Sequence, residues 1–428
     1  MEVAYIRINK TSSREASIKQ KKAALVQKGR QPKESVMKTY AFGRAFAWGV
    51  TTLAFTFAAS ASAADKEPIK VGASISLTSD MAIAGLQQKA GIQMAVDQIN
   101  EAGGVPGKGG NRPIEVIYGD NAMSPTTAVN ALNRILSDRP VAVLQSIRGT
   151  HVLPQLPLLQ RAKVAGLTIS ATKKLTEQGN DYIFRFYPND SVTKPILTRF
   201  VVEKLGKKKV GVFYSAEDYG SSGRDEIIKT LDELGIEPVA VESHQPTDKD
   251  FTAQLQSLKS AGAEVIFLQT FEAPSALILK QARQLNLDIP FALGVTSIGA
   301  SAQKLVEARD VEGFYAETAV IDPSFSTDPK VKTWAAEIEK RYGIVPDYTA
   351  LIDYDATNML IKAIELYGPD NVELAKGLRR MSYDGMVTTY QSDQTGNMNH
   401  AASVIQIHDK RHTEVLRDSV PFEPYAEK

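Results

Sequence analysis

Arg148, Gly149 and Thr150 stand where an apolar run of the chain gives way to a helical pattern. The run before them, residues 141–144, is typical of a buried strand, and helical spacing of apolar residues begins directly after them. The start of a helix exposes unpaired backbone N–H groups, which attract anions. Gly149 lets a ligand approach the backbone, and the Thr150 hydroxyl adds a donor. The junction predicts a site for a small anion such as a carboxylate, with helix capping alone as the open alternative.

The sequence lacks the motifs of several enzyme classes. The glycine-rich stretch GGVPGKGG follows the first predicted helix, whereas a dinucleotide site needs G-x-G-x-x-G directly after the first strand. No Walker P-loop, G-x-S-x-G elbow or H-E-x-x-H motif occurs, and there is no cysteine. The five histidines show no metal-binding spacing. We expect no catalytic residue, metal or cofactor, so the sequence favours a binding protein over an enzyme.

The charge of the chain is distributed unevenly. The formal net charge is +1, but residues 1–63 contain 11 Lys and Arg against 3 Asp and Glu, and the remainder contains 39 against 46. The larger part is therefore acidic and has no basic footprint for nucleic acid. We expect no nucleic-acid partner.

The basic start of the chain resembles a secretory signal. Lys38 and Arg44 precede an uncharged, mostly apolar stretch, and Ala61-Ser62-Ala63 is a small-x-small cleavage site. We predict a signal peptide at residues 37–63, cut after Ala63, and residues 1–36 as an upstream extension or a mis-assigned start. A membrane anchor is the alternative, but the apolar stretch is shorter than the roughly 20 residues a helix needs to span a bilayer. The mature protein is expected in the periplasm.

Short β-rich runs alternate with helical runs after the signal, which indicates parallel α/β units. The run IKVGASISL predicts the first strand, and Ser124 and Pro125 predict the N-cap and first residue of a helix. The alternation restarts at residue 208 and ends in long helical patterns followed by a hairpin-like stretch. Two such runs with a helical return predict two lobes with a cleft between them.

Several stretches together resemble one family. They are IKVGASISLTSDMAIAGLQQKAGIQMAVDQINEAGGVPG, LTISATKKLT, YIFRFYPND, KKVGVFYSAEDYGSSGR and EGFYAE. In order and spacing they are similar to the leucine/isoleucine/valine-binding class of periplasmic solute-binding proteins, over about residues 69–408. The resemblance implies a type I periplasmic binding protein fold, with two doubly wound α/β lobes joined by a three-segment hinge. It implies a monomer that delivers a small carboxylate ligand to the membrane permease subunits of an ABC importer.

Domain limits also follow from the resemblance. Lobe 1 is expected at residues 66–189 and 319–403, and lobe 2 at 190–318 and 404–428. A ligand-sensing ectodomain on the same fold is the alternative class. It would carry a membrane helix and a signalling domain after the second lobe, and neither is visible in the sequence.

The resemblance assigns the ligand site as well. The carboxylate grip would consist of Arg148, Gly149 and Thr150 with a matching run, Ser170, Ala171 and Thr172. Arg148 departs from the small residue usual in the family, so it either contacts the ligand or pairs with an Asp or Glu. In lobe 2, Tyr219 and Phe271 would face the ligand, and Phe186 and Tyr187 would add bulk near the hinge. Arg185 is interpreted as structural.

The pattern departs from the amino-acid binders of the family at the ammonium site. Those proteins carry an acid in the loop after the strand that PFALG matches, whereas this chain has Val295 and Thr296 there. Asp190, Glu272 or Glu317 would have to replace that acid, because a buried unpaired ammonium costs several kcal/mol. The ligand stays open between a branched-chain amino acid and an aromatic or other small carboxylic acid. We favour an acid without an α-ammonium group.

Overall fold

The computed structural model describes residues 66–78, 82–107, 110–122, 124–398 and 400–427. The predicted signal peptide and the extension before it lie outside these residues. The first sheet is wholly parallel, with the strand order β2-β1-β3-β4-β5. Its strands are β1 (Ile69–Ile75), β2 (Ile114–Asp120), β3 (Ala142–Gln145), β4 (Ala165–Thr168) and β5 (Ile183–Arg185).

The second sheet has the order β14-β13-β10-β9-β8-β6-β7. It is parallel from β7 to β10, and β13 joins β10 antiparallel and pairs with β14 as a hairpin. Its strands are β6 (Val210–Ser215), β7 (Ala240–His244), β8 (Val265–Gln269), β9 (Phe291–Leu293), β10 (Tyr315–Thr318), β13 (Ala401–His408) and β14 (Arg411–Ser419). A separate small hairpin pairs β11 (Ser382–Asp384) with β12 (Thr389–Gln391).

Helices connect the strands of both sheets. They are α1 (Ala82–Glu101), α2 (Pro125–Ser137), α3 (Gly149–Val152), α4 (Leu156–Ala162), α5 (Asp190–Arg199), α6 (Asp218–Glu233), α7 (Thr252–Ser260), α8 (Glu272–Gln284), α9 (Ala300–Gln303), α10 (Ala308–Val311), α11 (Pro329–Tyr342), α12 (Tyr348–Tyr367) and α13 (Asn371–Arg380). We call each sheet with its helices a lobe. The chain passes between the lobes after β5, after β10 and before β13, and α12 packs on α1 of the first lobe.

The central strands are apolar on both faces because helices cover both sides of each sheet. All residues of β3, β4 and β8 are buried. The N-terminus of α2 forms as predicted, since the Ser124 hydroxyl accepts a hydrogen bond from Thr127 N. The predicted fold class, two doubly wound α/β lobes, is therefore confirmed.

The expected residue limits of the two lobes differ from the structure at two places near the C-terminus. The division as a whole stays a prediction. The expected boundary at residues 403 and 404 falls inside β13, whose residues from Ala401 onward belong to the second sheet. The tail after β14 was assigned to lobe 2, but it runs back to the first lobe. There Tyr425 N donates to Ser392 O at 2.7 Å, and Gln394 Nε2 donates to Ala426 O at 2.9 Å. These two hydrogen bonds hold the tail against the first lobe, and the periodicity of the sequence does not predict them.

No helix in the described part of the chain combines the length and apolar character needed to cross a bilayer. Within the same residues, no three His, Asp or Glu side chains are grouped so that they could hold a metal ion.

We predict that Gly91→Ala destabilises the first lobe. Gly91 lies where α1 touches the backbone of α12, and an added Cβ would be 2.0 Å from Ala350 O. Backbone has to shift, so urea unfolding should show a loss of about 1–3 kcal/mol, the usual cost of overpacking. Gly107→Ala is the matched control, because its Cβ would meet nothing closer than 3.7 Å. Equal unfolding free energies for the two variants would contradict the close packing of α1 on α12.

Candidate functional site

The two predicted carboxylate-binding runs lie side by side. β3 and β4 are paired parallel neighbours, so the segments that follow them emerge at the same edge of the sheet. Gly149 packs directly against Thr172, and a Cβ built on Gly149 would lie 2.2 Å from Thr172 Oγ1. Only glycine permits this approach. The structure thus brings the two runs together as the sequence suggested.

Short hydrogen-bonded turns order these segments. Thr168 Oγ1 donates to Ser146 O at 2.9 Å and accepts from Ser170 N at 3.1 Å. Ser170 Oγ lies 3.4 Å from Thr172 Oγ1. The hydroxyls of Ser170 and Thr172 are buried, whereas Thr150 is partly exposed. Hydrogen bonds within these two segments therefore position the hydroxyl groups of Thr168, Ser170 and Thr172.

The helix after β3 is irregular near its start. α3 has four residues and continues through a 3-10 turn, 153–155, into α4. The backbone stays helical across this turn, so Gly149 begins a continuous helical stretch that ends at Ala162. The first N–H groups of that stretch and the nearby hydroxyls would both attract an anion.

Arg185 fixes the position of the second run by a hydrogen bond to the backbone of Thr172. Its fully buried guanidinium donates to Thr172 O at 2.6 Å, to Thr176 Oγ1 at 2.5 Å and to Asn397 Oδ1 at 2.9 Å. These bonds agree with its interpretation as a structural residue. They link Thr172 to Asn397, which lies shortly before the chain passes into β13 of the second lobe.

Aromatic rings form much of the wall of the cavity between the lobes, to which Ala171 is the one contributor from the two predicted runs. Tyr219 follows β6 and Phe271 follows β8, which are paired parallel strands, and the two ring centroids are 4.8 Å apart. The cavity between the lobes has a volume of about 10 Å³. Its lining residues are Ile147, Ile169, Ala171, Tyr187, Tyr219, Phe271, Val295, Thr296 and Tyr348. A ligand larger than a water molecule therefore enters only if the lobes or the rings move apart.

Two aromatic residues differ from the expectation. Phe186 was expected to add bulk near the hinge together with Tyr187, but it does not line the cavity: its side chain is fully buried in the first lobe, with its ring centroid 5.2 Å from that of Tyr390. Tyr348 was not predicted, yet it lines the cavity 5.9 Å from the ring of Tyr187. Its position follows from Asp347, whose carboxylate caps α12 by accepting from Thr349 N at 2.9 Å. An Asp at this point is a sequence signal for the start of a helix, but it does not place Tyr348 in the cleft.

Arg148 points across the cleft to the second lobe. Its Nη2 and Nε lie 2.7 and 3.0 Å from Glu217 Oε2, and both side chains are nearly buried. The guanidinium also lies 4.8 Å from the centroid of Phe271, a cation–π distance. Of the two roles left open, the structure contains the ion pair, and contact with a ligand stays a prediction.

A second bridge joins the lobes beside Thr172. Lys173 Nζ lies 2.8 Å from Glu226 Oε1, and Lys173 N donates to Ser222 Oγ at 3.3 Å. The carboxylate raises the pKa of Lys173, so the ammonium stays charged. Both ion pairs connect the first lobe to the second.

The three candidate acids differ in their surroundings. Asp190 and Glu317 both face the ammonium of Lys194, with Glu317 in direct contact and Asp190 Oδ1 at 3.6 Å. Burial raises the pKa of Asp190 to about 6, against the opposing effect of Lys194. Glu272 is partly buried at the start of α8. Among the residues that line the cavity, no side chain carries a carboxylate.

Thr296, which stands where an acid was expected, completes a neutral hydrogen-bond chain. Its Oγ1 donates to Thr270 O at 2.7 Å and lies 3.2 Å from the Tyr219 hydroxyl. The loop therefore fixes the aromatic ring and contributes no charge.

Two α/β lobes with an aromatic-walled cleft between them are typical of periplasmic binding proteins, and the chain belongs to the periplasmic binding protein family, whose model matches residues 68–412. The leucine-, isoleucine-, valine-, threonine- and alanine-binding protein of Pseudomonas aeruginosa is 29% identical over 363 residues, covering 84% of this chain and 95% of that protein. The Leu/Ile/Val-binding protein homolog 3 of Brucella melitensis is 28% identical, covering 75% and 84%. The resemblance to this class is confirmed.

Solved structures show the same fold. A branched-chain amino acid transporter substrate-binding protein of Streptococcus pneumoniae, in complex with isoleucine, matches with a TM-score of 0.74 at 24% identity, over 83% of this chain and 99% of that one. An ABC transporter solute-binding protein of R. palustris, in complex with benzoate, matches with a TM-score of 0.75 at 15% identity, over 84% and 99%.

We predict that the cross-cleft ion pairs hold the lobes closed. Glu217→Gln/Glu226→Gln removes both charges, and each charged hydrogen bond contributes about 1.5–3 kcal/mol. Small-angle scattering should show a larger radius of gyration for this variant than for wild type. Glu101→Gln is the control, since Glu101 pairs with Arg341 inside the first lobe. Indistinguishable scattering from the double variant and wild type would contradict the role of the bridges.

Proposed function

We propose that this protein is an extracytoplasmic solute-binding protein that captures a small carboxylate between its lobes and delivers it to the permease subunits of an ABC importer. The observation that carries the proposal is the contact of Gly149 with Thr172, in two neighbouring segments whose Ile147, Ile169 and Ala171 line the cavity. The contact brings backbone and hydroxyl donors of both segments together beside a cavity whose walls are mostly apolar and aromatic. Such a site binds a ligand with one anionic and one apolar end.

The anionic end of the ligand belongs at the strand ends of the first lobe. The hydroxyls of Thr150, Ser170 and Thr172 and the N–H groups around Gly149 and Ala171 supply hydrogen bonds that a carboxylate accepts. Arg148 stands at the same edge and compensates the negative charge, either directly or through its pair with Glu217. The carboxylate is thereby bound by positioned donors.

The apolar end belongs between the rings. Tyr187, Tyr219, Phe271 and Tyr348 present flat surfaces that suit an aromatic or branched apolar group. Because the cavity wall has no carboxylate, an acid without an α-ammonium group fits better than an amino acid. Benzoate-type and phenylpropanoid acids are the favoured class.

A branched-chain amino acid is the second candidate ligand. It is favoured by the names of the relatives, of which the Pseudomonas aeruginosa protein is 29% identical. The fold does not separate the two classes, since neighbours with TM-scores of 0.74 and 0.75 hold isoleucine and benzoate. Both candidates imply transport without catalysis.

A thermal-shift screen should separate these ligands. Binding raises stability by RT ln(1 + [L]/Kd), about 2.7 kcal/mol at ~100 times Kd, so a true ligand gives a clear shift. We expect shifts with aromatic acids or 2-keto acids and smaller shifts with leucine, isoleucine and valine. A clear shift with leucine and none with any amine-free acid would restore the amino-acid assignment.

The carboxylate grip makes a prediction for single hydroxyls. Thr150→Ala and Thr172→Ala should each weaken binding of the identified acid by about 1–3 kcal/mol, because a buried ligand oxygen loses its partner. Calorimetry measures the change, and Thr333→Ala, on the exposed face of α11, should leave affinity unchanged. Unchanged affinity in both site variants would place the carboxylate elsewhere.

A further inference from the structure

Four buried charges lie together behind the wall of the cavity. Asp190, Lys194 and Glu317 are at most 1% exposed, and Arg185 is fully buried beside them. Lys194 contacts Glu317 directly and lies 3.6 Å from Asp190 Oδ1. Arg185 acts on Asp190 through its charge and lowers the pKa of that carboxyl, against the larger effect of burial. We call these four residues the hinge quartet.

The hinge quartet is electrically balanced. It contains two carboxylates and two cations, so no net negative charge is left over inside the hinge. A buried charge without a partner is costly, and a carboxylate already paired with a protein cation offers little to a second one. An incoming ammonium would meet two like charges close to the acids it needs.

The quartet is adjacent to the ligand cavity. Lys194 Nζ lies 5.8 Å from the ring centroid of Tyr219, which lines the cavity. Asp190 N donates to the carbonyl of Ala171, another lining residue, at 3.1 Å. Asp190 Oδ2 accepts from Ser222 Oγ at 2.5 Å, beside the Lys173 bridge. The charge of Glu317 acts on the hydroxyls of Tyr187 and Tyr219, and both of these residues line the cavity. Asp190 and Glu317 are therefore close enough to the cavity for their charges to act on a ligand ammonium.

We infer that Lys194 is a specificity-determining residue: its ammonium occupies Asp190 and Glu317 and so excludes ligands that carry an α-ammonium group. The inference rests on the proposed function and names the feature that sets its ligand class. The protein supplies internally the cation that an amino-acid ligand would otherwise bring. Lys194 acts through the two carboxylates and needs no contact with the ligand.

Matched ligand pairs test this inference. Leucine with 4-methylpentanoate, and phenylalanine with 3-phenylpropanoate, differ only in the amino group. In calorimetry, wild type should bind the amine-free member at least about tenfold more tightly in the pair that fits the cavity, because Lys194 and Arg185 already balance the charge of both nearby carboxylates. Lys194→Met leaves one carboxylate unbalanced, and the ratio of the two Kd values should fall by about tenfold or more.

Two further variants separate charge from size and from general damage. Lys194→Met/Glu317→Gln restores the balance of the quartet, so its ratio should return to that of wild type. Arg379→Met removes a buried cation that donates to Gln394 O and Asp181 O in the first lobe, and should leave the ratio unchanged. If Lys194→Met fails to fold, as judged by circular dichroism and thermal melting, Lys194→Gln keeps hydrogen-bonding capacity without the charge.

The outcomes distinguish this inference from the function itself. No binding of any small carboxylate by wild type would contradict the proposed function and the inference with it. Binding with a ratio that is the same in wild type and in the Lys194 variants would overturn only the role of Lys194. Tighter wild-type binding of leucine than of 4-methylpentanoate would overturn the inference whatever the variants do.

Discussion

A charge removed from water must find its partner inside the protein, and this requirement organises the cleft. Arg148 is buried against Glu217 from the other lobe, Arg185 against carbonyl and amide oxygens, and Lys194 against Asp190 and Glu317. The pairs differ in where they connect. The first crosses between the lobes, whereas the others stabilise the hinge. The cavity between them is left with neutral, mostly aromatic walls.

Local pattern predicts much of this architecture. The strand and helix alternation, the Ser124 cap and the two runs after β3 and β4 follow from sequence because each depends on residues close together in the chain. Parallel pairing then brings the ends of neighbouring strands to one edge, which is why Gly149 and Thr172 could be expected together.

Features that depend on distant partners were not visible in the sequence. Lys194 and Glu317 are 123 residues apart, and Arg148 and Glu217 are 69 apart. Phe186 and Tyr187 are neighbours directly after β5, yet Phe186 packs on Tyr390 and Tyr187 lines the cavity. Tyr348 enters the site from a helix far along the chain, and no local signal assigns it to a cleft.

On the proposed function, closure and ligand choice depend on different charges. The Arg148–Glu217 and Lys173–Glu226 pairs form between the lobes, so they would stabilise the closed state whatever the ligand. The Lys194 pairs join α5 to β10 within the second lobe and do not cross the cleft, so they would act on the charge of what the cavity accepts and not on closure. Ligand class could then change through substitutions behind the cavity wall, with the surfaces that meet between the lobes unchanged.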